Sequence, residues 1–261
     1  NDKPALAIRG KFDDAIKAGE FKMYLQPQIS AKTRRLTGAE ALVRRIKPDG
    51  TIISPIDFIP VYEKSGLISR LDRYIWEQAA AKLGEWKKAG INMSISVNIS
   101  PKDFYYIDIF NTFAGLIKKY DIEPSNLKIE ITETTIMSDV PNLMGELEEL
   151  RKAGFTLEMD DFGSGYSSLN TLKDINVDVL KVDMGFIKET KNVKKSRIIL
   201  ASVIKMAKEL NLLIITEGVE TEEQVDNLTK LGCDVFQGYY FSKAIDVNEF
   251  EKRYLYRKKA G

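Results

Sequence analysis

The feature that most constrains this chain is a recurrence: short apolar runs of strand length, each followed by a helical stripe, along the whole of its 261 residues. Met93, Ile95 and Val97 alternate with Ser94, Ser96 and Asn98 at period two. Leu143, Leu147 and Leu150 then recur at helical spacing, as do Ile199, Val203, Met206 and Leu210. Reading every such run predicts eight strands, at Phe21–Gln28, Leu36–Arg45, Met93–Asn98, Leu127–Thr132, Phe155–Asp160, Val179–Val182, Leu212–Thr216 and Val235–Gln237. An α/β alternation of this kind closes as a (β/α)8 TIM-like barrel, a fold that commonly takes ~250 residues. Only residues 29–35 separate the first two strands, which is hairpin length and too short for a parallel crossover, so one antiparallel strand is expected near the N-terminus. With no Pro-, Gly- or Ser-rich linker and no internal repeat, residues 1–261 read as a single domain. The absence of an initial methionine, and a helical stripe of Leu6, Ile8, Phe12, Ala15 and Ile16, suit a domain taken from a longer protein. Thr221 and Gln224 form a capping-box pattern ahead of Val225, Leu228 and Leu231, predicting a helix that opens there.

Composition narrows the chemistry. The chain has one cysteine, Cys233, and no histidine, which excludes a disulfide framework and any Cys/His zinc site and fits a reducing compartment. Hydrolysis without imidazole must use carboxylates, lysine, hydroxyls or metal-activated water. With 39 basic and 38 acidic residues, interspersed, neither polymeric nucleic acid nor an anionic membrane surface is an expected partner. The longest apolar stretch, residues 198–215, is interrupted by Lys205, Lys208 and Glu209, so no membrane span is expected. A cytoplasmic domain is expected, with a parent protein that could itself be membrane-tethered.

Polar residues recur at the predicted strand ends. Glu40 lies in the second strand, Asn98 ends the third, Glu130 lies in the fourth, and Asp160 and Asp161 end the fifth. Lys181 sits in the sixth, Glu217 follows the seventh and Gln237 ends the eighth. In such a barrel the C-terminal strand ends converge on one mouth. Leu127, Ile129 and Ile131 suit the face towards the helices, which turns Glu130 and Thr132 inward. Crowded carboxylates raise one another's pKa and call for cations, and oxygen-only donors suit a hard ion: magnesium or manganese, with calcium also able to bind. Two such ions are a recognised device for phosphodiester hydrolysis.

These residues also carry a family resemblance. Tyr24-Leu-Gln-Pro27, Glu40-Ala-Leu-Val-Arg44, Val97-Asn-Ile-Ser-Pro101, Glu130-Ile-Thr-Glu133, Asp160-Asp-Phe-Gly-Ser-Gly-Tyr-Ser-Ser-Leu169, Leu180-Lys-Val-Asp183, Glu217-Gly-Val-Glu220 and Gln237-Gly-Tyr occur in the order found in EAL domains. The sequence resembles that family of bacterial cyclic di-GMP phosphodiesterases along nearly its whole length.

The resemblance implies hydrolysis of cyclic di-GMP to linear pGpG by a water activated between two Mg²⁺ or Mn²⁺ ions, with Ca²⁺ inhibitory. It implies Glu40, Asn98, Glu130 and Asp160 as ligands of one ion, and Asp160, Asp161 and Glu217 around the other. Lys181 matches a lysine beside the attacking water or scissile phosphate, and Glu217 has the alternative role of general base. Gln26, Leu42, Arg44, Asp183 and Gln237 match positions that contact substrate or line the metal site. Glu133 and Glu220 match supporting acids, and Phe162, Gly163, Ser164 and Gly165 belong to the loop after the paired aspartates. A homodimer and an upstream sensory or GGDEF-type domain are also implied. Arg45, Lys47 and Ala244 depart from the usual tryptophan, histidine and proline, and Glu158 is an acid that many members lack. Two other readings stand beside the phosphodiesterase: a receptor that binds cyclic di-GMP without cutting it, and an unrelated metal-dependent barrel enzyme such as an enolising lyase or isomerase.

Overall fold

The computed structural model describes residues 3–163, 168–185 and 191–256. Its strands are β1 (Phe21–Ser30), β2 (Leu36–Ile46), β3 (Ile52–Ile53), β4 (Ile95–Asn98), β5 (Leu127–Thr132), β6 (Leu157–Asp160), β7 (Val179–Asp183), β8 (Leu213–Glu217), β9 (Val235–Gln237) and β10 (Ile245–Asp246). Helices α1 (Lys3–Lys17), α2 (Pro55–Ser65), α3 (Ile68–Lys88), α4 (Asp103–Tyr106) and α5 (Ile109–Tyr120) belong to the first half. They are followed by α6 (Glu133–Ile136), α7 (Leu143–Lys152), α8 (Ser168–Asp174), α9 (Val193–Glu209), α10 (Glu222–Leu231) and α11 (Val247–Phe250).

Eight of these strands close a barrel. β2, β4, β5, β6, β7, β8 and β9 pair in parallel succession, and β1 joins the two ends by running antiparallel to both β2 and β9. The expected antiparallel strand is therefore β1, and its hairpin with β2 extends over nine paired positions from Phe21↔Arg45 to Ile29↔Leu36. β3 and β10 are two-residue additions outside the closed ring. All eight expected strands are present; those anticipated from Met93 and Phe155 start two residues later, at Ile95 and Leu157, and that anticipated from Leu212 starts at Leu213.

Alternation along the strands sorts the side chains as read from sequence. Ile95, Val97, Leu127, Ile129, Ile131, Leu157 and Met159 point outward into the main core, where they meet Trp76, Leu83, Phe113, Leu147 and Leu150 from α3, α5 and α7. Inside the barrel, Val179, Ile215 and Val235 form a small apolar floor. Lys181, Glu217 and Gln237 are each two residues further along the same strands and stand above that floor. The capping box of α10 is present in full, with Thr221 Oγ1 accepting from the Gln224 N–H at 3.2 Å and Gln224 Oε1 from the Thr221 N–H at 3.2 Å.

A second, separate core lies under α1. Phe12 packs edge-on against Tyr62 (centroids 5.0 Å) and beside Phe21 (5.6 Å), with Phe58, Leu67, Ile68 and Leu71 completing the cluster. Because β1 is antiparallel, its first residue Phe21 lies at the C-terminal end of β2, so this core sits on the mouth side of the barrel. It also accounts for Arg45: the guanidinium bonds Glu20 at 2.9 Å and lies 5.6 Å over the Phe21 ring, filling the place of a large aromatic with a cation–π contact and an ion pair.

α3 and α4 meet at two carboxyls, the buried Asp103 and the half-buried Asp72. Ser100 ties them together, its hydroxyl donating to Asp72 at 2.6 Å and its N–H to Asp103 at 2.8 Å. Burial pushes both above the usual aspartate range, and the nearby Asp103 charge pushes Asp72 further. The folded chain therefore favours the protonated form, so this pair's contribution to stability is complete below the ordinary aspartate pKa and is lost as pH rises through the raised values. In urea unfolding, Asp72→Asn should flatten the decline of stability as pH rises above the ordinary aspartate pKa of about 4.

Two glycines should respond oppositely to substitution. A Cβ on Gly238 would lie 2.3 Å from the Val219 carbonyl oxygen, whereas one on Gly10, in exposed α1, meets nothing within 4 Å. Gly238→Ala should cost ~1–3 kcal/mol by overpacking. Gly10→Ala should add ~0.5–1 kcal/mol by restricting the unfolded chain.

Candidate active site

The mouth is organised around Lys181. Its side chain is fully buried, and its ammonium donates to Glu40 and to both oxygens of Glu130, at 3.0 and 3.2 Å, with Glu217 at 3.8 Å. Strand register produces this meeting. Asn98 is level with Glu130, Glu130 with Glu158, Thr132 with Asp160, Asp183 with Glu217, and Glu217 with Gln237, while Gln26 lies opposite Glu40 across the hairpin. Residues nearly two hundred positions apart in the chain thus face one another across a single barrel layer.

Further hydrogen bonds hold the acids. Glu40 accepts from Gln237 Nε2 at 3.1 Å and from Asn98 Nδ2 at 3.4 Å; Glu130 accepts from Ser96 Oγ at 2.8 Å. Gln237 also donates to Gln26 Oε1 at 2.9 Å and accepts from Gln28 Nε2 at 3.0 Å, so a row of buried amides braces Glu40 from the antiparallel side. Trp76 Nε1 fixes the end of β4 by donating to the Asn98 carbonyl at 3.0 Å.

The electrostatics are those of surplus negative charge in a low-dielectric place. Burial raises the Glu40 pKa but the Lys181 ammonium outweighs it, leaving Glu40 below the usual range and ionised. Glu130 goes the other way, raised well above its ordinary value by burial and then by the charge of Glu40. Burial, opposed by Lys181, takes Asp160 to about 6 and Glu217 to about 8, with neighbouring acids adding to both. Burial also raises Asp161, followed by the Asp183 charge. Burial works against the charged form of Lys181, but Glu130 and Glu40 more than reverse it and hold its pKa well above normal.

Asp161 stands in the left-handed region (φ 55°) and donates its N–H to Asp160 Oδ1 at 2.9 Å, a turn that separates the two carboxylates in direction. Phe162 is buried and its N–H bonds the Lys181 carbonyl at 3.2 Å, tying the following loop to β7. Gly163 has φ 94°, a conformation that favours glycine; Ser164 and Gly165 lie outside the described residues. Asp183 is exposed at the rim and caps its own turn by accepting from the Gly185 N–H at 2.7 Å. Glu133 is buried at the start of α6, whereas Glu220 is exposed ahead of α10, with its N–H bonded to Gln224 Oε1 at 2.7 Å.

A cleft of about 590 Å³ opens beside the acids, lined by Leu42, Arg44, Asp72, Trp76, Asn98 and Thr132 among others. Arg44 is half-buried in its wall, lies 6.0 Å over the Tyr24 ring and bonds the Val43 carbonyl at 2.9 Å. The structure thus brings Glu40, Asn98, Glu130, Asp160, Asp161, Lys181, Glu217 and Gln237 to one mouth, with Leu42 and Arg44 in the adjoining cleft and Gln26 behind Gln237. Sequence reasoning missed Gln28 and Ser96, although each lies two residues from a predicted site residue on the same strand face. Glu158 is buried beneath Asp160, and neither of its oxygens has a conventional hydrogen-bond donor; burial raises its pKa and Glu130 adjoins it.

The donor set is oxygen throughout, and five carboxylates face one ammonium, so the residues suit a hard divalent ion. In this Lys181-centred arrangement no three carboxylates among the described residues are grouped closely enough to chelate one ion.

Comparison with known proteins follows the same lines. The chain is 36% identical over 239 residues to the signaling protein YkoW of Bacillus subtilis, a match covering 92% of this chain and 30% of the relative. It is 36% identical over 252 residues to the probable cyclic di-GMP phosphodiesterase PdeG of Escherichia coli, covering 94% and 48% respectively. The chain spans between about a third and a half of the length of these curated relatives. Among solved structures, a phosphodiesterase called PaMucR in complex with c-di-GMP superposes with a TM-score of 0.86 at 32% identity, covering 94% of this chain and 99% of that one. Residues 9–244 match the model of the EAL domain, and the chain belongs to that family.

Proposed function

We propose that this chain is a divalent-metal-dependent phosphodiesterase that hydrolyses cyclic di-GMP to linear pGpG. The observation that carries the reading is the fully buried Lys181 ammonium ringed by Glu40, Glu130 and Glu217 at the C-terminal ends of barrel strands. Names given to relatives in the same family, among them PdeG and PaMucR, support it.

Glu40, Asn98, Glu130 and Asp160 would hold one ion, and Asp160, Asp161 and Glu217 the other. Ions held there would lower the pKa of a bound water and would neutralise charge on the phosphate and the departing 3′ oxygen. The chain's own residues do the remainder. Arg44, with only one of its N–H groups committed to a carbonyl in the structure, offers the others to a phosphate in the 590 Å³ cleft. Gln26 and Asp183 orient the nucleotide ends, Asp183 at a guanine edge, and Leu42 packs against a base. Gln237 keeps Glu40 aimed at the mouth. Glu217 is the acid that would accept and return a proton, and Lys181 places positive charge beside the scissile phosphate. A homodimer, a cytoplasmic setting and further signalling domains in the intact protein complete the proposal. Among the described residues no helix is long and apolar enough to cross a membrane.

Incubating the purified chain with cyclic di-GMP and Mg²⁺ or Mn²⁺ should yield pGpG by chromatography, with none formed in chelator and Ca²⁺ suppressing the reaction. Tight binding without cleavage in either activating metal would replace this reading with the receptor. Glu40→Ala and Lys181→Ala should each lower kcat by at least ~100-fold, the loss typical of removing a group that stabilises transition-state charge. Lys181→Ala should also cost ~3–5 kcal/mol of stability in chelator, because it strands buried carboxylates. Mn²⁺ should recover much of that loss; a variant as stable as the parent in chelator would show that Lys181 does not neutralise the acids.

A further inference from the structure

A second polar recess lies away from the carboxylates, where α1, the corner between α2 and α3, and α4 come together. Its volume is about 290 Å³, and Arg9, Arg70, Arg73, Ser69 and Tyr106 contribute to its wall; no acidic side chain does. In a chain whose net charge is only +1, three guanidiniums drawn from two helices into one recess form a pronounced local excess. Arg70 is paired with Asp13 at 2.7 Å and lies 5.0 Å over the Phe12 ring. Among the described residues Arg9 and Arg73 form no ion pair, although the Arg73 charge is felt by Glu77 one turn away. Glu77, one turn beyond Arg73, is bonded instead to Lys119 at 2.5 Å.

The backbone reinforces the charge. The recess is at the N-terminus of α3, a helix of 21 residues with no side-chain cap and no acid in its first turn. The N–H groups of Arg70 and Leu71 bond the Leu67 carbonyl at 3.1 and 3.2 Å, and the positive end of the helix dipole adds to the guanidinium charge. Ser69, in that first turn, is 3% exposed, and its hydroxyl, beside Asp103, makes no aligned hydrogen bond. Gly66 closes α2 with φ 80°, and a Cβ there would lie 3.3 Å from the Tyr106 ring, so the corner is tight and the recess wall well defined.

We propose that this recess binds a phosphate monoester dianion. Two guanidinium forks without an ion pair match the oxygens of a phosphate, and the positive end of a helix dipole suits the same charge. The volume admits a phosphate with a few attached carbon atoms, but not a dinucleotide. The site would clamp α1 to α3. The opposite face of α3, through Ile68, Asp72, Ile75 and Trp76, lines the 590 Å³ cleft, so the two openings share one helix as their partition. The inference stands on this recess alone and is independent of the phosphodiesterase reading.

The test uses the whole chain in EDTA, which removes divalent ions from the carboxylate site, with glycerol 3-phosphate as the probe and NaCl at matched ionic strength as the control. The wild type should gain about 2–4 °C in Tm over the NaCl control and should broaden the ³¹P resonance of the probe. Arg9→Gln/Arg73→Gln should abolish both effects, while Lys47→Gln, elsewhere on the surface, should retain them. Arg73→Gln alone should show intermediate broadening, which keeps the test decisive if the double variant folds poorly. No Tm gain and no broadening in the wild type would overturn the proposal. So would effects of equal size in the double variant.

Discussion

The carboxylate mouth depends on one buried ammonium. Lys181 is placed in the barrel by a strand whose neighbours in sequence, Leu180 and Val182, face the main core, so its side chain is buried inside the barrel. An unpaired ammonium at that depth would be prohibitively unstable, and the chain answers with Glu40 and Glu130 from two other strands. The reverse dependence is equally strong, since those acids would repel one another without it. Lysine and carboxylates therefore fix each other's positions, and with them the relative alignment of β2, β5 and β7.

That arrangement needs the barrel to close, and closure rests on β1. A short hairpin forces β1 antiparallel to β2, and β1 then bridges to β9. The same strand supplies Gln26 and Gln28, whose amides with Gln237 support Glu40 from the side where the parallel ladder is interrupted. The antiparallel step also turns the start of β1 towards the mouth, where Phe21 seeds the aromatic core that holds α1. One topological feature thus completes the ring, braces a site residue and creates a second core.

Much of this was legible in the sequence because period-two alternation is a local property. The run at 127–132 announces both a strand and its inward residues, so Glu130 could be assigned to the barrel interior, while Lys181 could be placed in its strand but not on a face. The capping box at Thr221 was readable for the same reason. Which inward residues touch was not legible, because contact depends on register between strands, and a one-residue slip would turn Glu130 out of the barrel. Ser96 and Gln28 went unnoticed since their types are common on strands and only their cross-strand partners mark them. Arg45 read as a departure in need of explanation, and its partners Glu20 and Phe21 are some twenty-five positions away.

Glu158 shows how the mouth's charge count reaches below its visible rim. It lies level with Glu130 on the neighbouring strand and shares the strand face of Asp160, one step deeper in the barrel. An alanine there would leave Lys181 to be shared among the rim acids alone. A glutamate adds a carboxyl that finds no conventional donor and leans on Glu130. Its effect must therefore be transmitted through Glu130 and Lys181, the pair on which the rim acids already depend. The electrostatics of the site belong to the whole inner layer of the barrel, so a substitution at this depth changes the mouth without altering any residue that lines it.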